Sequence, residues 1–290
     1  MTQRPLRDCC LAELVGTFLL IFFGCGAVHV AVLLGGLTGL WQVGIVWGMA
    51  IMFAIYTIGG ISGAHINPAI TLALAFWGKF SRERVFGYLA AQMLGAMLAA
   101  TTLYILFQSA LAAYEQRHGI ERGSPESVLT AACYGEYYMN PGGYEFGQSG
   151  KASPPALEKH LNQVSLATAF LAELLGTAIL GFVVFRTTQP DNDEVPHKLA
   201  PVFIGLTVTA LICVIAPLTQ ACFNPARDFG PRIVAAIAGW GQVAIPGPNG
   251  PGFALVYGVA PVIGAILGIG FGIQMSATPP HIPVTDPELD

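Results

Sequence analysis

Long runs of apolar residues dominate this chain and predict membrane-spanning helices. No Asp, Glu, Lys or Arg occurs in residues 14–78, 85–114, 199–226 or 233–285. A helix needs about 20 apolar residues to cross the hydrocarbon core of a bilayer, so several of these runs can hold two crossings. Gly, Pro and charged clusters divide the runs into six predicted spans, near residues 9–33, 41–60, 83–110, 165–186, 199–217 and 253–275.

Two further apolar stretches, near residues 67–78 and 224–238, are too short to cross a bilayer. Each opens with the tripeptide Asn-Pro-Ala, as Asn67-Pro68-Ala69 and as Asn224-Pro225-Ala226. Asn is a favoured helix N-cap and Pro is favoured at the first helical position. The pattern therefore predicts two re-entrant half-helices that begin at these motifs.

An internal repeat relates the two halves of the chain. The segment 12–17 (AELVGT) returns as 172–177 (AELLGT), 160 positions later, and Asn-Pro-Ala returns 157 positions later. We predict one channel domain over 1–290, with a first repeat half at 9–114 and a second at 164–275. An extracellular connecting loop would occupy 115–163 and a cytoplasmic tail 276–290. Three spans per half require opposite orientations, which is an inverted repeat whose interrupted helices mark the permeation site.

Composition and charge support a membrane location. Hydrophobic residues make up 54% of the chain and charged residues only 10%, against about a quarter charged in soluble proteins. The net charge of −4 shows no basic face, so we expect no nucleic-acid partner. Lys and Arg are more numerous at the N-terminus and after the second and fourth spans than in the long loop, which predicts both termini in the cytoplasm, in a plasma or inner membrane.

Half-helices that enter from opposite faces would meet with their N-termini near the bilayer midplane. Their dipoles would focus positive potential at that point. Asn67 and Asn224 could each cap their own helix through the side-chain oxygen and offer amide hydrogens to a passing solute. Such a site accepts the lone pairs of water or an alcohol and repels cations.

Arg227 falls in the first turn of the second half-helix, where a cation opposes the helix dipole. A charge at this depth is costly and is usually functional. We hypothesise that Arg227 lines the pore constriction, donates to solute oxygens and blocks cations and protons. The alternative is an internally paired structural arginine.

Five other polar residues have a structural and a functional interpretation. Glu13 and Glu173 occupy matching places in the repeat, and we expect them to accept hydrogen bonds from irregular backbone rather than to relay protons. Asp228 faces Arg232 one helical turn on, a pair that we expect to support a loop rather than line the pore. His65 is either a titrating gate or, as we favour, a structural imidazole whose backbone carbonyl faces the pore.

The segments 62–69 (SGAHINPA) and 224–232 (NPARDFGPR) resemble the major intrinsic protein family, the aquaporins and glycerol facilitators. The resemblance extends from about residue 10 to 275 and implies an all-α membrane protein of six transmembrane helices and two half-helices. The glycerol branch typically has Asp after the pore Arg and a basic residue four positions further on, as Asp228 and Arg232 are here. Residues 114–124 also resemble the extracellular loop of bacterial glycerol facilitators.

The resemblance also implies site residues. The selectivity constriction would comprise Trp47, Ile212, Ala221 and Arg227. The backbone carbonyls that line the pore would come from Gly63, Ala64, His65, Ile66, Gln220, Ala221, Cys222 and Phe223. Glycerol facilitators usually have an aromatic residue where Ala221 stands and a small one where Ile212 stands, so this combination is similar to the nodulin-type plant channels.

We therefore predict a passive channel for glycerol, other small neutral solutes and water that excludes protons and ions. A water-selective aquaporin and a nodulin-type channel for urea or metalloid hydroxides are the alternatives. A coupled transporter and a membrane-junction protein are the other classes considered. We expect no enzyme activity, cofactor or metal; the expected partners are small neutral solutes, membrane lipid and, as is usual in the family, three further copies in a homotetramer.

Overall fold

The computed structural model describes residues 4–276 apart from 191 and 193, so residues 277–290 of the predicted cytoplasmic tail lie outside the described part. Within that part the fold is helical and contains no strand. In chain order the α-helices are α1 (Leu6–Leu34), α2 (Leu40–Ser62), α3 (Pro68–Phe76), α4 (Arg82–His118), α5 (Val128–Ala131), α6 (Pro154–Leu161), α7 (Leu166–Thr188), α8 (Ala200–Thr219), α9 (Pro225–Ala235) and α10 (Gly252–Ser276).

The six predicted spans are confirmed as α1, α2, α4, α7, α8 and α10, each long and apolar enough to cross a membrane. The two predicted half-helices are α3 and α9, of 9 and 11 residues. Large apolar side chains such as Phe86, Val214 and Ile237 are exposed on the outside of the bundle. Because a water-facing surface rarely carries so many, this exterior is suited to acyl chains.

The third span is longer than its apolar pattern indicated. α4 continues to His118, about two turns beyond the predicted end near residue 110, and it ends at Gly119 in the left-handed region. The last turns carry Glu115 and Arg117, which end the apolar run without ending the helix, because helical hydrogen bonds do not depend on apolar side chains. The segment from Gly119 to the start of α7 carries α5 and α6 and packs as a buried cluster around Tyr134 and Trp240.

Corresponding helices pack in corresponding ways in the two halves. α1 packs on α4 and α7 packs on α10, while α2 and α8 pack on each other between the halves. A Cβ atom on Gly95 would lie 2.3 Å from the carbonyl oxygen of Leu14, and one on Gly264 would lie 2.3 Å from that of Leu174. Close approach of these helix pairs therefore requires glycine at both positions.

Each half-helix packs against a long helix of the opposite half. α3 packs against α10 of the second half, and α9 packs against α4 of the first half. The two short helices are thus surrounded by long ones and meet inside the bundle.

The glycine contact between α1 and α4 can be tested by adding one methyl group. Gly95→Ala is expected to lower the free energy of unfolding by about 1–3 kcal/mol, because the new Cβ overlaps backbone that cannot move independently. Gly60→Ala is the matched control, since a Cβ there meets nothing within 4 Å. The measurement is the thermal unfolding midpoint of each detergent-purified variant; equal midpoints for the two would contradict the packing account.

Candidate functional site

The N-termini of the two half-helices are capped in the same way. The Oδ1 atom of Asn67 accepts from the backbone N–H of Ala69 at 2.8 Å, and Oδ1 of Asn224 accepts from that of Ala226 at 3.1 Å. In both cases the helix begins at the proline that follows. Each Asn-Pro-Ala motif therefore fixes the start of a helix inside the bundle.

The same two asparagines also join the half-helices to each other. Nδ2 of Asn67 donates to the carbonyl of Phe223 at 2.8 Å, and Nδ2 of Asn224 donates to the carbonyl of Ile66 at 2.9 Å. Nothing in the sequence indicated this reciprocal pair of hydrogen bonds. Since an amide group carries two hydrogens, each asparagine retains one for another acceptor.

The backbone just before each half-helix has an unusual conformation that repeats. Ala64 and Ile66 have φ of 50° and 44°, and Ala221 and Phe223 have φ of 64° and 53°. A β-branched or bulky residue rarely adopts the left-handed region, and such strain is concentrated at functional sites. The surrounding structure must therefore hold these segments in place.

In the first half, Glu13 holds the segment. Its fully buried carboxylate accepts from the backbone N–H groups of His65 at 2.9 Å and Ile66 at 2.7 Å, and from the Ser62 hydroxyl at 2.7 Å. The Gln92 amide donates a further bond at 2.8 Å. With the N–H groups directed at this carboxylate, the carbonyls are left for the opposite side.

In the second half, Glu173 makes the equivalent contacts. It accepts from the N–H groups of Cys222 at 3.0 Å and Phe223 at 2.8 Å, and from the Thr219 hydroxyl at 2.6 Å. The side chain of Gln220 instead donates to the carbonyl of Ala132 and accepts from the N–H of Tyr137. The two carboxylates thus lie at matching places, each bonded to irregular backbone.

Two cavities run into the bundle and border each other. One, of about 400 Å³, reaches the ends of α3 and α7 at Lys79 and Thr188, and we call it the termini-side cavity. The other, of about 470 Å³, is bordered by the segment between α4 and α7, and we call it the loop-side cavity. The termini-side cavity is lined by residues 63–67, by residues 221–224 and, among other side chains, by Trp47, Ile212 and Arg227.

Three side chains line both cavities: Trp47, Ile212 and Arg227. The guanidinium carbon of Arg227 lies 4.7 Å from the centroid of the Trp47 ring. A Cβ atom on Gly24 would lie 2.3 Å from that ring, so Trp47 occupies space that only glycine leaves free. The fourth predicted constriction residue, Ala221, lines only the termini-side cavity, and Gln220, predicted to supply a pore carbonyl, lines only the loop-side cavity.

Arg227 is both internally paired and exposed to the cavities, so the two interpretations of its role are compatible. Nη1 donates to the carbonyl of Tyr134 at 2.7 Å and contacts Sγ of Cys25 at 3.4 Å. Nε lies 2.6 Å from Oε1 of Glu136. Among the described residues, Nη2 meets no acceptor and is left for a ligand in the cavity.

Asp228 and Arg232 form a buried ion pair that fixes the segment facing Arg227. Nη2 and Nε of Arg232 lie 2.8 Å and 3.0 Å from the Asp228 carboxylate. Asp228 accepts from the backbone N–H of Glu136 at 2.7 Å, while Arg232 donates to the carbonyls of Glu136 and Ala244. Both side chains are fully buried and line neither cavity.

His65 is held from several sides. Its Nδ1 lies 3.1 Å from the hydroxyl of Thr71, and its ring packs against Phe80 and Tyr88 with centroid separations of 4.7 Å and 5.1 Å. The residue also borders the termini-side cavity. These contacts support the structural interpretation of the imidazole.

Glu136 is the functional candidate that the sequence did not reveal. It lies in the predicted loop 115–163 with five other glutamates, Glu115, Glu121, Glu126, Glu145 and Glu158, and nothing in the local pattern separates it from them. Only the fold brings it to Arg227, 91 positions away. Within the residues that the structure describes, no group of three His, Cys, Asp or Glu side chains could hold a metal ion.

Comparison with known proteins identifies relatives along nearly the whole chain. The sequence profile of the family described as "Major intrinsic protein" matches residues 2–271. The chain is 37% identical to the glycerol uptake facilitator protein of Haemophilus influenzae over 266 residues, which cover 92% of each protein. It is 38% identical to a propanediol uptake facilitator of Citrobacter freundii, covering 91% of this chain and 90% of the relative.

A solved structure agrees with these relatives. The X-ray structure of the aquaglyceroporin from Plasmodium falciparum superposes with a TM-score of 0.75 at 25% identity, over 94% of this chain and 98% of that one. The similarity confirms the fold that the sequence predicted and, with the family match, supports the expectation that the chain is not an enzyme. This protein is an integral membrane protein and belongs to the major intrinsic protein family.

Proposed function

We propose that the protein is a passive channel for glycerol and other small neutral solutes, including water. The observation that carries the proposal is the asymmetry of the passage between the two cavities. Trp47 and Ile212 are apolar, whereas Arg227 presents a free N–H donor. A polyol has a carbon backbone and a row of hydroxyls, so one face fits each kind of side chain. The printed names of the relatives, uptake facilitators for glycerol and for propanediol, agree with this solute class.

A solute that leaves water must recover its hydrogen bonds along the passage. Hydroxyl oxygens would accept from Nη2 of Arg227 and from the second amide hydrogen of Asn67 and Asn224. Hydroxyl hydrogens would donate to the carbonyls of residues 63–65 and 220–222, since Glu13 and Glu173 bind N–H groups rather than carbonyls. The carbonyls of Ile66 and Phe223 already accept from the asparagine amides and would offer a solute their second lone pair. Alternating donors and acceptors replace water without binding the solute tightly, which permits rapid release.

Ion exclusion follows from the same groups. The N-termini of α3 and α9 and the Arg227 guanidinium oppose cations and protons. Because Trp47 and Ile212 line the same passage with apolar atoms, an ion that sheds its hydration shell finds no replacement for it on that side. We therefore propose that Trp47, Ile212, Ala221 and Arg227 form the selectivity constriction, with Asp228 and Arg232 as its support.

The solute specificity has two alternatives. Glycerol facilitators usually have an aromatic residue where Ala221 stands and a small residue where Ile212 stands, so the larger side chain is here at the other position. A nodulin-type channel for urea or metalloid hydroxides would share that combination. A water-selective pore would need a narrower passage. We favour glycerol because the apolar pair of Trp47 and Ile212 is retained beside Arg227, so that apolar atoms and a donor border the same space.

The proposal extends to assembly and orientation. We propose a homotetramer in the plasma or inner membrane, with both termini in the cytoplasm, two repeat halves at 9–114 and 164–275, and a cytoplasmic tail from 276. The Lys and Arg distribution supports the orientation, and the apolar exterior supports contact with lipid and with neighbouring copies.

Stopped-flow light scattering on reconstituted vesicles tests the function directly. Shrinkage and re-swelling rates are compared for water, glycerol and urea, with protein-free vesicles as the control. Glycerol flux well above the control, and unchanged when ion gradients are dissipated, is expected. A glycerol rate equal to that of empty vesicles would overturn the proposal, and a rate that requires an ion gradient would indicate a coupled transporter.

The constriction is tested by adding an aromatic ring. In Ala221→Phe the ring would compete for the space already narrowed by Trp47 and Ile212, so glycerol flux is expected to fall by about tenfold or more, with water flux less affected. Removing bulk in the double variant Ala221→Phe/Ile212→Gly is expected to restore glycerol flux. The control is Ala221→Ser, which keeps the size. Normal glycerol flux in a folded Ala221→Phe protein would show that residue 221 does not bound the passage.

A further inference from the structure

The passage between the two cavities is surrounded by positive potential and donors. α3 and α9 both direct their N-termini towards it, and Arg227 adds a full charge. Rings of basic side chains are the means by which channels select anions. A passage built from these groups alone would repel cations and attract small anions.

Glu136 supplies the missing negative charge. Oε1 lies 2.6 Å from Nε of Arg227, and the Glu136 and Arg227 side chains are only 1% and 4% exposed. The neighbouring charges of Asp228 and Arg232 already pair with each other at 2.8 Å. Among the described residues, no other carboxylate lies within salt-bridge distance of Arg227, so removal of the Glu136 charge would leave the guanidinium without a direct counter-ion.

The position of Glu136 matters as much as its charge. Arg227 borders both cavities, whereas Glu136 is fully buried and lines neither of those two cavities. Its backbone is fixed at the N–H by Asp228 and at the carbonyl by Arg232. The carboxylate thus pairs with the guanidinium without entering either cavity, and Nη2, for which no acceptor is found among the described residues, remains available as a donor.

We propose that Glu136 is a specificity-determining residue that prevents this neutral-solute channel from conducting small inorganic anions. The inference rests on the proposed function, since it concerns the same passage. Arg227 is needed as a hydrogen-bond donor, and Glu136 allows it to donate without attracting anions. Selectivity against anions therefore lies in a residue of the segment between α4 and α7, outside the half-helices.

The geometry also predicts a pH dependence. Burial raises the pKa of Glu136 to about 7, although the nearby Arg227 guanidinium opposes the rise. Below that pH the carboxyl group becomes neutral and Arg227 loses its counter-charge. The charged and titratable groups that face Glu136 from the elements packed around it are Arg227, Arg232, Asp228, Glu173, Cys25, Cys222 and Tyr257.

The test measures chloride entry into vesicles that contain a chloride-quenched dye. Wild-type protein is expected to admit little chloride at a pH of about 8. The Glu136→Gln variant is expected to admit chloride at least about tenfold faster, because its Arg227 guanidinium has no carboxylate partner. The matched control is Glu121→Gln, which removes an exposed glutamate of the same segment and is expected to behave as wild type. Chloride entry in folded Glu136→Gln equal to wild type would overturn the proposal.

A second variant separates a charge effect from a structural defect. In the double variant Glu136→Gln/Arg227→Gln the unpaired charge is gone, so chloride entry is expected to return towards the wild-type rate. Entry that stays high would indicate a widened passage rather than an anion-attracting one, and would contradict the proposal. Glycerol flux in the same wild-type vesicles is recorded separately, so failure of the proposed function is visible independently of the chloride result.

If the Glu136→Gln variant does not fold, the proposal is tested by the pH dependence of chloride entry in vesicles that contain the wild-type protein. Chloride entry is expected to rise several-fold as the pH falls from about 8 to about 5.5, through the raised pKa of the carboxyl group. A flat profile in protein that still transports glycerol would then overturn the proposal.

Discussion

Backbone that is not helical must have its polar groups satisfied when it lies among membrane-spanning helices, and this constraint organises the rest of the molecule. Here Glu13 and Glu173 bind the N–H groups of the two irregular segments from one side. The carbonyls are left for the cavity, where a solute can replace water as their partner. Strained φ values at Ala64 and Ile66 persist because the carboxylate and the Asn224 amide fix the backbone around them. The two glutamates make the backbone contacts that we expected of them from the sequence, in preference to a proton relay.

A second requirement is that each buried charge has a partner, because an unpaired one is strongly destabilising. Arg227 is matched by Glu136 and Arg232 by Asp228, and the two pairs are linked through the backbone of Glu136. The segment between α4 and α7 is thereby fastened to α9 at the narrow part of the passage. A polar stretch that the sequence describes only as a connecting loop thus supplies a carbonyl and a carboxylate to Arg227.

The sequence predicted those features that local pattern determines. Apolar runs gave the six spans, and the repeated Asn-Pro-Ala gave both half-helices, because span length and helix capping are short-range properties. The reciprocal bonds from Asn67 to Phe223 and from Asn224 to Ile66 join residues 156 and 158 positions apart, and no local pattern encodes them. Glu136 was missed for the same reason, since its partner Arg227 lies 91 positions further along the chain, in the second half. The end of α4 was placed too early because the apolar period stops before the helix does.

The narrow passage depends on residues from several helices whose sizes are mutually adjusted. Gly24 of α1 leaves the space that the Trp47 ring of α2 fills, and the ring in turn packs against the Arg227 guanidinium of α9. Ile212 of α8 supplies the second apolar side chain, while Ala221 leaves open the space that an aromatic ring would take. Because each residue is bounded by another helix, a change of bulk at one position can be offset at a different one. The space between the two cavities is therefore bounded by the whole group of residues. A large side chain at Ile212 with a small one at Ala221 is compatible with a passage that keeps both apolar and donor groups.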